Sequence, residues 1–221
     1  MSIKLETTKQ ENHWVKMLCY GESGVGKTYL CQTAPKPVII SAERGLLTLA
    51  DVDIPVIHTT TMAQAKEAYD YLKGTNDFQT ICIDSISELA EALLTEFLSG
   101  VKDPRQAYGK MNIEVAALIR LFRNLPNKHV YFTAKQDRII DEFSGKVSYM
   151  PGMPGKTILN NLPYFFDIVA CLRVATKDKK EVRYLQTQPT AQYTAKDRSR
   201  KLNDAEEPNL TKLFNKVIGV K

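Results

Sequence analysis

The apolar run Trp14 to Tyr20 is followed by Gly21-Glu22-Ser23-Gly24-Val25-Gly26-Lys27-Thr28, which meets every fixed position of the pattern G-x-x-x-x-G-K-[ST]. No other stretch restricts the fold as much, because such a loop works only between a buried strand and a following helix. Its glycines let the backbone wind round phosphate groups with the N–H groups inward, and the next helix is expected to point its partial positive end at them. Lys27 is expected to reach the β- and γ-phosphates and Thr28 to hold Mg²⁺. The implied ligand is a nucleoside triphosphate, ATP, with Mg²⁺.

At 221 residues and 43% hydrophobic content the chain suits one α/β domain over residues 1–221, with an N-terminal arm at 1–13 and a basic tail and terminal helix at 196–221. The longest apolar candidate, Leu162 to Val174, is interrupted by Pro163, Asp167 and Arg173, so no membrane partner is expected. Met1 to Glu11 is polar and has no signal-peptide core, which makes a cytoplasmic location the expectation. Cys19, Cys31, Cys82 and Cys171 lie far apart and mostly in apolar runs, as do small buried hydrophobes. His13, His58 and His129 are equally scattered, leaving nucleotide-bound Mg²⁺ as the expected metal. Residues 1–100 carry 8 Lys+Arg against 13 Asp+Glu, whereas residues 101–221 carry 22 against 12. A basic second half suits a polyanion lying across it; solvated lysines are the alternative.

Strand-like runs recur at Trp14–Tyr20, Pro37–Ser41, Pro55–His58, Thr80–Ile83, His129–Thr133 and Ile168–Val174. Helical patterns separate most of them: Met62 to Lys73 behind a Thr61/Gln64 capping box, Ser85 to Leu98 behind Ser85/Glu88, and Asn112 to Leu125. This alternation predicts a mostly parallel central sheet with helices on both faces. Arg138–Phe143 and Lys146–Met150 around Ser144-Gly145 predict a hairpin, followed by an extended loop from Pro151 to Gly155. Arg183–Thr187 and Gln192–Ala195 predict a C-terminal antiparallel extension, and a helix is expected from Pro208.

Thr80-Ile81-Cys82-Ile83-Asp84 delivers a carboxylate at a strand end, where a P-loop fold needs an acid beside the Thr28-bound Mg²⁺. Ser85 follows, so a second acid adjacent to Asp84 is unavailable as a base. Glu43, just past the strand Pro37–Ser41, is the best-placed carboxylate to align water for attack on the γ-phosphate.

Ile40-Ser41-Ala42-Glu43-Arg44-Gly45-Leu46 is similar to the segment carrying the catalytic Glu of RecA-type recombinases, and Ile81-Cys82-Ile83-Asp84-Ser85 resembles their Walker B strand. His129 to Gln136 resembles the next core strand, which implies that Gln136 senses the γ-phosphate. Ala195-Lys196-Asp197-Arg198 resembles the pair of basic residues that reach a neighbouring subunit's ATP, which implies that role for Lys196 and Arg198. The extra terminal domains of full recombinases have no counterpart in this sequence. It looks most like compact phage ATP-binding proteins built on a RecA core, a group that includes single-strand annealing proteins. That resemblance implies a RecA-like P-loop NTPase fold, single-stranded DNA binding, a homo-oligomeric ring or filament, cooperation with a single-strand-binding protein, and action in a bacterial host cytoplasm.

In RecA-like cores two loops hold the strand, and the matching segments here are Val101 to Lys110 and Arg138 to Lys156. Lys102, Arg105, Lys110, Lys146 and Lys156 are candidates for phosphate neutralisation, and Tyr108 and Tyr149 for base stacking, which contributes about 1–3 kcal/mol per base. Pinning a loop to its own domain is the alternative for each tyrosine. Three other functional readings stay open: a small-molecule kinase, a GTPase suggested by the near-miss Ala134-Lys135-Gln136-Asp137, and a nucleotide-gated scaffold that does not hydrolyse ATP.

Overall fold

The structure is a computed structural model that describes residues 14–43 and 45–219. The expected arm at 1–13 lies outside the described residues, as do Arg44, Val220 and Lys221. In chain order the strands are β1 (Lys16–Tyr20), β2 (Pro37–Ser41), β3 (Val56–His58), β4 (Thr80–Asp84), β5 (His129–Ile140), β6 (Val147–Gly152), β7 (Ile168–Lys177), β8 (Lys180–Gln186), β9 (Lys196–Asp197) and β10 (Ala205–Glu206). They form one sheet of order β10-β8-β7-β1-β5-β4-β2-β3, with β6 against β5 and β9 against β7. From β7 to β3 every pairing is parallel. The pairings of β6, β8, β9 and β10 are antiparallel.

Alternation along the central strands feeds two cores. Leu18, Tyr20, Val38, Ile40, Ile81, Ile83, Val130 and Phe132 face the helices α1 (Met62–Gly74), α2 (Ile86–Leu98), α3 (Pro104–Arg123) and α4 (Lys156–Asn161). Met17, Cys19, Ile39, Cys82, Tyr131 and Ala170 face the other way, onto Leu30, Cys31 and Leu49 from two 3₁₀ turns and onto Leu210, Leu213 and Phe214 of α5 (Leu210–Ile218). Each such buried apolar side chain stabilises the fold by about 1.5–3 kcal/mol, and both layers are needed because the parallel strands are apolar on both faces.

The helix starts follow their caps. The Ser85 side chain accepts from Glu88 N–H at 3.1 Å at the head of α2. Thr61 accepts from Gln64 N–H at 3.3 Å, but Gln64 Oε1 reaches back to Thr60 N–H at 2.9 Å, one residue earlier than a simple capping box predicts.

Four expectations are corrected. The helix expected directly after the P-loop is only a five-residue 3₁₀ turn, Tyr29–Thr33, because Pro35 and Pro37 end it. The helix expected from Asn112 begins at Pro104, so most of the predicted loop Val101 to Lys110 is helical. Asp103 caps it by accepting from Arg105 N–H at 3.0 Å, and Pro104 fits the first turn. Gln192–Ala195 does not form the strand expected beside Arg183–Thr187; β8 instead pairs with β7 as a hairpin. The stretch from Lys196 to Lys201 is not a free basic tail: β9 pairs with β7, and the Asp197 carboxylate accepts from the N–H groups of Ser199, Lys201 and Leu202 at 2.8–3.1 Å.

His129 closes the end of the sheet where β1 and β5 begin. Its Nδ1 accepts from Val15 N–H at 3.0 Å, and its ring stacks on Phe214 with centroids 4.5 Å apart. Burial, and next the nearby Lys16 charge, lower its pKa to about 4. The unfolded chain therefore binds this proton near pH 6.5 while the folded one resists it, so stability falls as pH drops from about 6.5 to about 4. At about 1.4 kcal/mol per unit, this one group should account for about 3 kcal/mol of the loss by pH 4. Urea denaturation at pH 7 and pH 4 checks this: His129→Gln should lose that much less stability over the interval than the wild type.

Candidate nucleotide site

β1 is flanked by β5 and β7, its own connection runs to β2 on one side, and the chain after β6 returns to β7 on the other. A crevice at the carboxyl ends of the strands opens where the connections diverge. The P-loop leaves β1 there. Gly24 and Gly26 take φ values of +76° and +107°, in the left-handed region that favours glycine. At Gly21 an added Cβ would lie 2.6 Å from the Leu172 carbonyl oxygen, so only glycine lets the loop pass β7.

The resulting cleft of about 660 Å³ is lined by the P-loop, Ser41, Glu43, Asp84, Ser85, Glu88, Lys135 and Gln136, among others. Lys27 Nζ donates to the carbonyls of Gly21 and Glu22, both at 2.9 Å, and burial lowers its pKa. Thr28 Oγ1 donates to Asp84 Oδ2 at 2.7 Å, while the Thr133 hydroxyl donates to Asp84 Oδ1. β5 stands between β1 and β4, so Thr133 fills the gap between the P-loop strand and the acidic strand. Two residues earlier on the same face of β5, the buried Tyr131 hydroxyl donates to the Lys27 carbonyl at 3.0 Å. A hydroxyl and a carboxylate facing one another are hard oxygen donors that fit Mg²⁺ held jointly with phosphate, with Thr28 and Asp84 as the residues that would hold it.

β2 pairs with β4 in the register Ser41↔Asp84, which brings Glu43 to the mouth of the same cleft. The Ser41 hydroxyl donates to the Glu43 carbonyl and fixes the turn. Partial loss of water at the mouth, then the charges of Glu88 and Asp84, raise the Glu43 pKa. Gln136 also lines the cleft and accepts from the Cys171 thiol at 3.6 Å.

A family model described as an AAA domain matches residues 13–199. The chain belongs to the AAA domain family. It is an AAA-type P-loop ATPase domain by that membership and by its loop. No curated protein matches the sequence. Among solved structures, the chain is similar to a KaiC-like protein, PH0186, from the hyperthermophilic archaeon Pyrococcus horikoshii OT3, with 15% identity and a TM-score of 0.43 over 77% of this chain and 76% of that one.

The other sequence-derived candidates of this AAA domain lie elsewhere. Lys196 and Arg198 flank the start of β7, which is level with the start of β1, at the opposite end of the sheet from the P-loop. Lys196 Nζ donates to the Pro163 carbonyl, and Arg198 pairs with Asp167 at 3.4 Å. Burial, then the Arg198 charge, lower the Lys196 pKa to about 8. Lys102, Arg105 and the 41%-exposed Tyr108 lie at the start of α3. An added Cβ on Gly155 would sit 3.4 Å from the Tyr108 ring, so Tyr108 neighbours Lys156 at the start of α4. Lys110 instead lies over the Phe97 ring at 4.2 Å. Tyr149 stacks on Tyr193 at 4.8 Å, with Arg173 on the other side of Tyr193 at 3.9 Å, so one face of Tyr149 is already used. Lys146 lies at the β5–β6 turn, where Asp141 and Glu142 oppose its charge.

Sequence reasoning missed Lys135 and Glu88 as cleft residues, Thr133 as the buried partner of Asp84, and Phe143, fully exposed at the hairpin turn. The run Thr133-Ala134-Lys135-Gln136 carried a signal for Thr133 and Lys135, since polar residues interrupt an apolar strand where it passes the P-loop. No membrane-crossing helix occurs among the described residues.

Thr133→Val keeps the side-chain volume but removes the hydroxyl on Asp84. Loss of such an outer partner should weaken Mg²⁺ binding about 10-fold or more. Titrating Mg²⁺ at fixed ATP should show this, while nucleotide affinity in EDTA stays at the wild-type value.

Proposed function

We propose that this domain hydrolyses ATP with Glu43 as general base and couples the cycle to single-stranded DNA binding as a homo-oligomer, in the manner of the phage single-strand annealing group it resembles. The observation that carries the hydrolytic reading is the placement of Glu43 at the cleft shared by Lys27, Thr28 and Asp84. P-loop amides and Lys27 bind and orient the phosphates, and Thr133 keeps the Asp84 carboxylate turned towards Thr28. Bound Mg²⁺ would neutralise charge on the β- and γ-phosphate oxygens. Glu43 accepts the proton of the attacking water, and its raised pKa makes it a better base than an ordinary carboxylate. In this reading Gln136, on the cleft wall, hydrogen-bonds the water or the γ-phosphate.

The exposed cations Lys102, Arg105 and Lys156, with Tyr108 between the two helix starts, support a nucleic-acid surface; Lys146 and Phe143 extend it along the hairpin. Lys196 and Arg198 lie far from their own P-loop, and action on a neighbouring subunit's nucleotide requires them to leave the Pro163 carbonyl and Asp167. A single-strand-binding protein fits as a partner that presents the DNA.

ATP turnover with and without single-stranded DNA tests this reading. Glu43→Gln should bind ATP normally and hydrolyse it about 10²-fold more slowly. The acid limb of the wild-type kcat/KM profile should lie above the ordinary Glu value of about 4.3, because the base must be ionised and its pKa is raised. Normal turnover by Glu43→Gln would remove it as the base, and ATP binding without any turnover would leave a nucleotide-gated scaffold.

DNA affinity should favour single strands and fall steeply with salt, as expected when phosphate-bound counterions are released. Lys102→Ala or Arg105→Ala should each flatten the log K against log[salt] slope by about 0.7. No binding to single strands at low salt would overturn the DNA part and favour a small-molecule kinase.

A further inference from the structure

Lys135 lies midway along β5, beside Gln136, on the wall of the cleft. Its ammonium is held by Glu88 at 2.7 Å and by both oxygens of Glu91 at 2.8 Å. Its backbone is fixed: the N–H donates to Ser87 Oγ at 2.9 Å, and the Ser87 hydroxyl donates to the Gly152 carbonyl at 2.6 Å. The side chain is about half exposed, as are its partners, and ion pairs of that kind are weak and readily exchanged. Lys135 is therefore a long, mobile cation on a rigid base, opening on the cleft.

The charge of the cleft makes this cation matter. Among the described lining residues, Glu22, Glu43, Asp84 and Glu88 are acids, and Lys27 and Lys135 alone are cations. A magnesium triphosphate remains an anion, so it enters a wall that is already negative. Lys27 belongs to the P-loop and serves the phosphates cradled there. A γ-phosphate held by the P-loop would lie on the side of the cleft lined by Glu43 and Gln136, and Lys135 is the cation on that side. A diphosphate does not extend so far.

We propose that Lys135 distinguishes ATP from ADP by leaving the Glu88–Glu91 pair to bind the γ-phosphate. The proposal rests on the cleft being the ATP site. In the resting cleft the two carboxylates keep the ammonium charged and away from the P-loop. Loss of the γ-phosphate after hydrolysis returns Lys135 to them.

Equilibrium binding of a non-hydrolysable ATP analogue and of ADP, each with Mg²⁺, tests the idea on the full chain. Lys135→Ala should weaken the analogue about tenfold or more, the range of a hydrogen bond to a charged group, and ADP by less than about threefold. Lys135→Arg should retain most of the preference. Equal weakening of both nucleotides, or of neither, overturns the proposal.

Lys135→Ala also exposes two unpaired carboxylates, so Lys135→Ala/Glu88→Gln/Glu91→Gln is the decisive variant. If Lys135 contacts the γ-phosphate, this variant stays deficient for the analogue. If Lys135 only masks the acids, the wild-type ratio returns and the contact is excluded. Apo melting temperatures near the wild-type value establish that each variant is folded. Lys27→Ala should weaken both nucleotides together. A wild type that binds neither nucleotide overturns the ATP-site reading and this inference with it, whereas a wild type that binds both, unaffected in its ratio by Lys135→Ala, overturns this inference alone.

Discussion

Asp84 accepts one hydroxyl on each carboxylate oxygen, from Thr28 of the P-loop and from Thr133 of β5. That junction ties the nucleotide loop to two neighbouring strands across the sheet. Asp84 ends β4, beside Ser41 of β2, and so the same carboxylate sets the height at which Glu43 meets the cleft. A half-buried carboxylate with both oxygens hydrogen-bonded has little rotational freedom, which is what an oxygen ligand for Mg²⁺ needs if it is to be in place before the nucleotide arrives.

The P-loop is supported differently from a loop that heads a long helix. One 3₁₀ turn aligns few peptide dipoles, so little helix-end charge reaches the phosphates. Directed N–H groups and side-chain cations must supply the difference. Tyr131 contributes by holding the Lys27 carbonyl from beneath, and α5 with its partners Leu30 and Cys31 fills the layer that a longer helix would occupy. The cleft is rich in ionisable side chains, of which Lys135 is paired with Glu88 and Glu91 while Lys27 donates to loop carbonyls.

Charge counted along the chain proved a poor guide to charge in space. Much of the basic second half is spent on local contacts: Lys196 on a carbonyl, Arg198 on Asp167, Lys216 on Glu206, Lys212 on Glu207. Lys102, Arg105 and Lys156 stay exposed at the starts of α3 and α4, and others, such as Arg138, Lys177, Lys179 and Lys180, are exposed elsewhere on the surface. The aromatic residues divide likewise, with Tyr149 stacked internally and Tyr108 and Phe143 outward.

The sequence alone determined the P-loop, the parallel strands and the caps of α1 and α2, because each depends on residues close in the chain or on a strict hydrophobic period. It misled at the start of α3, where Gly109 hid a helix that Asp103-Pro104 announces, and after the P-loop, where two prolines cut short an expected helix. Apart from the approach of Asp84 to Thr28, which the two motifs implied, contacts between distant segments were invisible to it. That Thr133 bridges to Asp84, that Lys135 meets Glu88 and Glu91, that Tyr131 reaches the Lys27 carbonyl and that Lys196 turns away from its own P-loop were decided only by strand order and register. Those pairings bring together residues 44 to 104 positions apart, and no local propensity encodes which strand will lie beside which.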